Sequence, residues 1–146
     1  MARKLRAARD VGVALGAVTR ARRAVALLPI GDLVGGRAVP ASGDVAPAPG
    51  ARPLSPEDRK CGDRWGVAVD RALRWLPGDS ACLVRSRALH ELLIAAGRER
   101  AVVRIGVRRE TGSFEAHAWV ELDGTPIAEE AELRGAFAPF DGVTLR

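Results

Sequence analysis

The spacing of apolar positions changes once along this chain. Before residue 97 they recur every three or four residues, and from residue 101 they alternate, so helices precede strands. Over residues 3–29, Val11, Leu15, Val18, Val25 and Leu28 fall at helical spacing with arginines between them. That predicts one amphipathic helix, or two short ones. Residues 31–54 are rich in Gly, Pro and Ala and have no period, which reads as a linker or a loosely ordered crossing. Ser55 then opens a helix. Its hydroxyl suits an N-cap, Pro56 suits the first turn, and Glu57 and Asp58 complement the positive end of the dipole. Trp65, Val69, Ala72, Leu73 and Leu76 form its apolar face, and Pro77 with Gly78 stops it. A further helix over 81–96 is capped by Asp79 or Ser80. It turns Leu83, Leu89, Leu92, Leu93 and Ala96 inward and ends at Gly97.

The alternating part predicts a strand over 101–109, a turn over 110–113 and a second strand over 114–122. Phe114, Ala116, Ala118, Val120 and Leu122 share one face of that strand; Glu115, His117, Trp119 and Glu121 share the other. Asp123 and Gly124 make a hairpin turn, and 125–130 return as a third strand. Helices followed by a small antiparallel sheet give an α+β fold. On composition the chain divides into a basic helical segment with its linker, 1–54, and a folded domain, 55–146.

The chain has 146 residues, 47% of them apolar, enough for a packed core and about right for one domain with a tail. Arg outnumbers Lys by 21 to 2, which reads as genome composition. The net charge of +5 is unevenly placed, because residues 1–30 alone carry +6 (Arg3, Lys4, Arg6, Arg9, Arg20, Arg22 and Arg23 against Asp10). A nucleic-acid-binding domain wants its basic face on the folded part, interleaved with aromatics. With no Tyr and three Phe there is little surface for stacking bases, so nucleic acid is not an expected partner. The run VGVALGAV at 11–18 is far short of the ~20 residues that cross a bilayer. TRARR follows it, where a signal peptide would have a small-residue cleavage site. The basic helix is either solvated and loosely packed on the domain, or a docking element for a partner protein or an anionic surface. Contact with a membrane is not its expected use. Two cysteines without a CxxC pair exclude a disulfide scaffold and a cysteine zinc site. Reduced thiols point to a cytoplasmic compartment. There is no GxxxxGK[ST] loop, and no cofactor is expected.

The cysteines are the first candidates for chemistry. A lone Cys is by base rate a small buried hydrophobe. Cys82 departs from that expectation because it sits in the first turn of a helix, where unpaired backbone N–H groups and the dipole favour the thiolate. Cys61 is mid-helix, lacks that setting, and is expected to be structural. A thiolate nucleophile needs a histidine, and the chain has two. His90 lies two turns along the helix of Cys82, cannot curl back to it, and is expected at the surface. His117 lies between alanines in a strand, where its ring is uncrowded. A third group should orient the imidazole. If Asp123 and Gly124 form a two-residue turn, His117 faces Glu130; a three-residue turn with a bulge makes the partner Glu129. Asp123 belongs to the turn and is a poor candidate. The order Cys, His, acid is that of papain-like and transglutaminase-like cysteine peptidases.

The stretches LPGDSACLVRSRALHELLIAAG, VVRIGVRR and FEAHAWVELDG carry a more specific likeness. Together, C-L-x-R-S-x-A-L and the A-H-A-W-V-E-x-D-G hairpin make residues from about 60 to 141 resemble the transglutaminase-like leader peptidases of lasso-peptide biosynthesis. The resemblance implies that Cys82 is the nucleophile and His117 its base. The family's third member is usually an aspartate on the strand after the hairpin. That position aligns best with Glu129, a departure of one methylene. The resemblance also implies a precursor peptide, leader and core, as substrate. It implies a separate leader-recognition protein as partner and a lasso cyclase downstream. The chain has no room before the peptidase for a recognition domain, so it is expected to be the peptidase half of a split system. The rival expectations are another acyl transfer at the same site, crosslinking or deamidation, and a non-catalytic scaffold that binds a peptide or partner.

Overall fold

The computed structural model describes residues 2–29, 32, 52–76, 81–110, 113–129 and 138–139. Among the described residues, three helices come first: α1 Ala2–Leu27, α2 Pro56–Trp75 and α3 Ala81–Ala95. The strands follow: β1 Ala101–Glu110, β2 Ser113–Leu122, β3 Thr125–Ile127 and β4 Ala138–Pro139. The sheet is antiparallel in the order β3-β2-β1-β4, and this α+β arrangement matches the sequence expectation.

The helix ends follow their local chemistry. The Ser55 hydroxyl accepts from the Asp58 backbone N–H at 3.1 Å, and Pro56 fills the first turn of α2. Such a cap contributes about 1 kcal/mol. At the end of α3, Gly97 takes φ 79°, and Gly97 and Arg98 donate to the Ile94 and Leu93 carbonyls at 2.9 Å each. This is the Schellman stop that the glycine implied. The caps expected at Asp79 and Ser80 lie outside the described residues.

The first helix, expected as one helix or two short ones, differs from expectation in its packing. It is one continuous helix and is not loosely laid on: Ala14, Ala17, Val18 and Ala21 are all at most 1% exposed. They join Val69, Ala72, Leu89 and Leu93 in one core. The buried stripe is rotated toward the alanines, and Leu28 lies in the solvent. Small residues let the helix backbones approach closely, which a reading weighted on large side chains passes over. Two contacts join α1 to α2 at the same separation of 54 residues. Arg64 holds buried Asp10 through two bonds of 2.7 and 2.5 Å, and Arg22 donates to the Leu76 carbonyl. The two helices therefore run side by side in the same direction. The Arg64 bond holds the Asp10 carboxyl below the usual carboxylate range, against the opposing effect of burial.

His90 also departs from its expectation. It is half-buried; Arg87 donates to its Nδ1 at 3.3 Å, and its Nε2 donates to the Ala101 carbonyl at 3.0 Å. It thus ties α3 to the start of β1. Burial lowers its pKa, the Ala101 bond opposes that, and the Arg87 charge lowers it further. Cys61 lies against the core as a partly buried side chain.

The third strand is shorter than expected. It stops at Ile127, because Ala128 takes φ 51°, a left-handed conformation that costs a residue with a Cβ roughly 1–2 kcal/mol. The two-residue β4, which pairs Gly106 and Val107 on the other edge of the sheet, is too short for any period to reveal. The bend at Ala128 rests on α2. A Cβ on Gly66 would stand 2.5 Å from the Ala128 Cβ, and one on Gly62 would collide with Ile127. Both glycines are buried for this reason.

Gly66→Ala gains helix propensity but overpacks the bend, and should lower stability by about 1–3 kcal/mol in urea denaturation. Gly12→Ala, in the open middle of α1 with nothing within 4 Å, should raise stability by up to about 1 kcal/mol. A stabilised Gly66→Ala protein would contradict the seating of the bend. His90 has a folded-state pKa below its unfolded value of about 6.5, so its contribution is complete above pH 6.5 and is lost as pH falls through the lowered pKa. Stability measured from pH 7 to 5 should therefore fall less steeply in His90→Gln than in the wild type; equal slopes would remove the assignment.

Candidate active site

The second strand carries His117 on the face it shares with Trp119 and Glu121. The ring centroids of His117 and Trp119 lie 6.2 Å apart at an interplanar angle of 17°. The indole N–H of Trp119 donates to the Glu121 carboxylate at 2.9 Å, and Arg104 on β1 donates to its other oxygen at 3.1 Å. Trp119 is only 8% exposed, so this polar ladder fixes a buried ring against which His117 rests.

The bend at Ala128 supplies the carboxylate. His117 Nε2 and Glu129 Oε1 are 2.9 Å apart, and the Glu129 side chain is 7% exposed. The hairpin itself has the two-residue turn, with Asp123 and Gly124 both at positive φ and Leu122 paired to Thr125. That register, continued, would have brought position 130 to His117. The ladder is broken instead after Ile127, and the left-handed Ala128 brings Glu129 to the ring. The one-residue shift expected of a bulged turn is made four residues later. The contact also uses Nε2, where a bond from Nδ1 was expected. Glu130 lies outside the described residues.

Arg85 joins three elements at this point. It donates to the Ala128 carbonyl at 2.8 Å, to Glu129 Oε2 at 3.4 Å, and to Asp70 on α2 at 2.6 and 3.4 Å. Burial works against its charge, but the Asp70 bond and the charges of Asp70 and Glu129 prevail and raise its pKa above the ordinary guanidinium value. The next residue, Ser86, is fully buried and donates to the Ala118 carbonyl at 2.8 Å, two residues beyond the last β2–β3 pair.

Cys82 is half-exposed in the first turn of α3. It shares a helix face with Arg85 and Ser86, three and four residues on, at about 6 Å of helix rise from Ser86. Further along α3, His90 reaches Ala101, which pairs with Leu122. The helix thus runs from the Ala118 region of β2 toward Leu122, and its first turn lies toward the His117 end. A groove of about 630 Å³ between α1 and α2 shares no residue with this cluster.

Sequence reasoning named His117 and Glu129, which the structure brings together, and Cys82, which it sets on the adjoining helix start. It gave no role to Arg85, Asp70, Ser86 or the glycines under the bend. Arg85 and Ser86 were visible in the C-L-x-R-S stretch, and Gly62, Gly66 and Asp70 recur every four residues on one face of α2.

The comparisons bear on the whole of this arrangement. Residues 18–140 match the family described as the Transglutaminase-like superfamily. No curated protein and no solved structure matches. The matched span begins inside α1 and reaches past β4, so it takes in the last part of α1, the two later helices, the sheet and the cluster around His117. The chain belongs to the transglutaminase-like superfamily.

Proposed function

We propose that this chain is a cysteine peptidase in which Cys82 is the nucleophile, His117 the general base and acid, and Glu129 the residue that orients the imidazole. The observation that carries this reading is the 2.9 Å contact between His117 and a nearly buried carboxylate, beside a helix that begins with a half-exposed cysteine. Glu129 at Nε2 makes Nδ1 the ring nitrogen that serves the thiol.

In the proposed reaction the Cys82 thiol passes its proton to His117, and the sulfur attacks the peptide carbonyl. The carbonyl π electrons move onto oxygen, and the Cys82 backbone N–H at the helix start is placed to stabilise that charge. The tetrahedral adduct collapses, the C–N bond breaks, and His117 returns the proton to the departing amine. Water, deprotonated by His117, then hydrolyses the thioester and restores the thiol. Glu129 holds the ring throughout.

The substrate class follows from the sequence resemblance. We infer cleavage of a leader peptide from a lasso-peptide precursor, with a separate protein gripping the leader and a cyclase taking the released core. Belonging to the transglutaminase-like superfamily supports acyl-transfer chemistry of this kind; the choice of water as acceptor is part of the proposal. The exposed arginines of α1 are the candidate contact for the leader-binding partner. No helix among the described residues is long and apolar enough to cross a membrane.

Mass spectrometry of a supplied precursor, with the recognition protein present, tests this directly. The wild type should yield two fragments whose masses sum to the precursor plus water. Cys82→Ala should yield none while keeping its fold, and His117→Ala should be slower by roughly 10²–10⁴-fold. A single heavier product would favour crosslinking, a mass gain of about 1 Da deamidation. Full cleavage by Cys82→Ala would sink the proposal.

A further inference from the structure

We infer that Arg85 is a positioning residue that selects Glu129 as the carboxylate presented to His117. This rests on the catalytic reading only for its consequence in rate; the positioning itself is geometric. Three observations carry it. First, the partner of His117 is decided at one residue, because β3 keeps a two-residue hairpin register up to Ile127 and leaves it at the left-handed Ala128. Second, Arg85 is the side chain bonded to both sides of that decision, the Ala128 carbonyl at 2.8 Å and Glu129 Oε2 at 3.4 Å. A planar fork with several fixed donors can do this; a single ammonium cannot span the same acceptors. Third, the fork is itself anchored. Asp70 holds it at 2.6 Å from the far side, and Asp70 follows Gly66 and Gly62 at intervals of four along α2.

That stripe of α2 acts as a seat. Gly62 admits Ile127, Gly66 admits the Ala128 methyl, and Asp70 fixes the arginine that closes over the bend. A left-handed alanine persists only where its surroundings over-determine it, and here contacts from α2 and α3 do so from two sides. One carboxylate oxygen of Glu129 is committed to Arg85 and the other to His117, so the carboxylate plane is set before any substrate arrives. Pinned in this way, the longer side chain of a glutamate gains the definition that a shorter aspartate would have by itself.

The test compares wild type with Arg85→Met, Arg85→Lys, Asp70→Asn and Glu129→Gln. Two readouts are taken: the bonded Nε2–H signal of His117 by ¹H–¹⁵N NMR of the ring, and kcat and KM for precursor cleavage. In Arg85→Met the ring signal should be lost to exchange, as it should be in Glu129→Gln. The rate kcat should fall by about 10²-fold with KM little changed, as for a misplaced catalytic group. Arg85→Lys should recover only part of both, and Asp70→Asn should show the same change to a smaller extent. A folded Arg85→Met protein that keeps the wild-type ring signal overturns the positioning role, whatever its rate. If Arg85→Met does not fold, an unchanged ring signal in Asp70→Asn overturns it instead. Loss of the ring signal with cleavage intact would uphold the positioning and count against the catalytic reading, so the two fail separately.

Discussion

The site depends on a single backbone constraint, the left-handed turn at Ala128. Without it the hairpin would run on in register and the strand would present a different residue to His117. The conformation is costly for alanine and is held by parts of the protein distant in sequence: a glycine seat on α2, and an arginine from α3 that is anchored back to α2. The first helix contributes at one remove. Its small buried residues and the Asp10–Arg64 pair fix α2 alongside it, and α2 carries the seat. Fold and site are thus joined through α2, which holds no residue proposed to react.

The same logic applies to the histidine. A strand His has freedom about two side-chain torsions, and here both are restrained. Trp119 lies parallel to one face of the ring and is itself fixed by Glu121 and Arg104, while Glu129 fixes Nε2. Arg85 counters the negative charge that a nearly buried carboxylate brings. A nearly buried acidic side chain needs partners on both oxygens, and here a guanidinium faces one and the imidazole the other.

Much of this was legible in the sequence where a regular period or a residue's covalent character decided the outcome. The change from helical to alternating spacing gave the element order. Ser55, Gly97, Asp123 and Gly124 announced their caps and turn. The helix-start cysteine and the strand histidine stood out by position, and the resemblance pointed to Glu129. What was not legible came from contacts between elements. The alanines of α1 were not picked out by the spacing of its large side chains, and Ala14, Ala17 and Ala21 are core. His90 looked like a surface residue and is a half-buried tie between helix and sheet. The glycines of α2 weaken a helix viewed alone, and only Ile127 and Ala128 lying across them explain their presence. Hairpin arithmetic tied Glu129 to a longer turn, whereas the register breaks at Ala128, where nothing in the local sequence marks it.

The central proposal is that Cys82 is a nucleophile served by His117, and not a packed thiol at a helix end. The most direct measurement is the rate of iodoacetamide labelling at Cys82 and Cys61 as a function of pH, in the wild type and in His117→Ala. Cys61 serves as the internal reference, since it lies against the core in mid-helix. Near pH 7 Cys82 should be labelled at least about tenfold faster than Cys61, and His117→Ala should remove most of that difference. Equal, slow labelling of both cysteines, unchanged by the loss of His117, would contradict it.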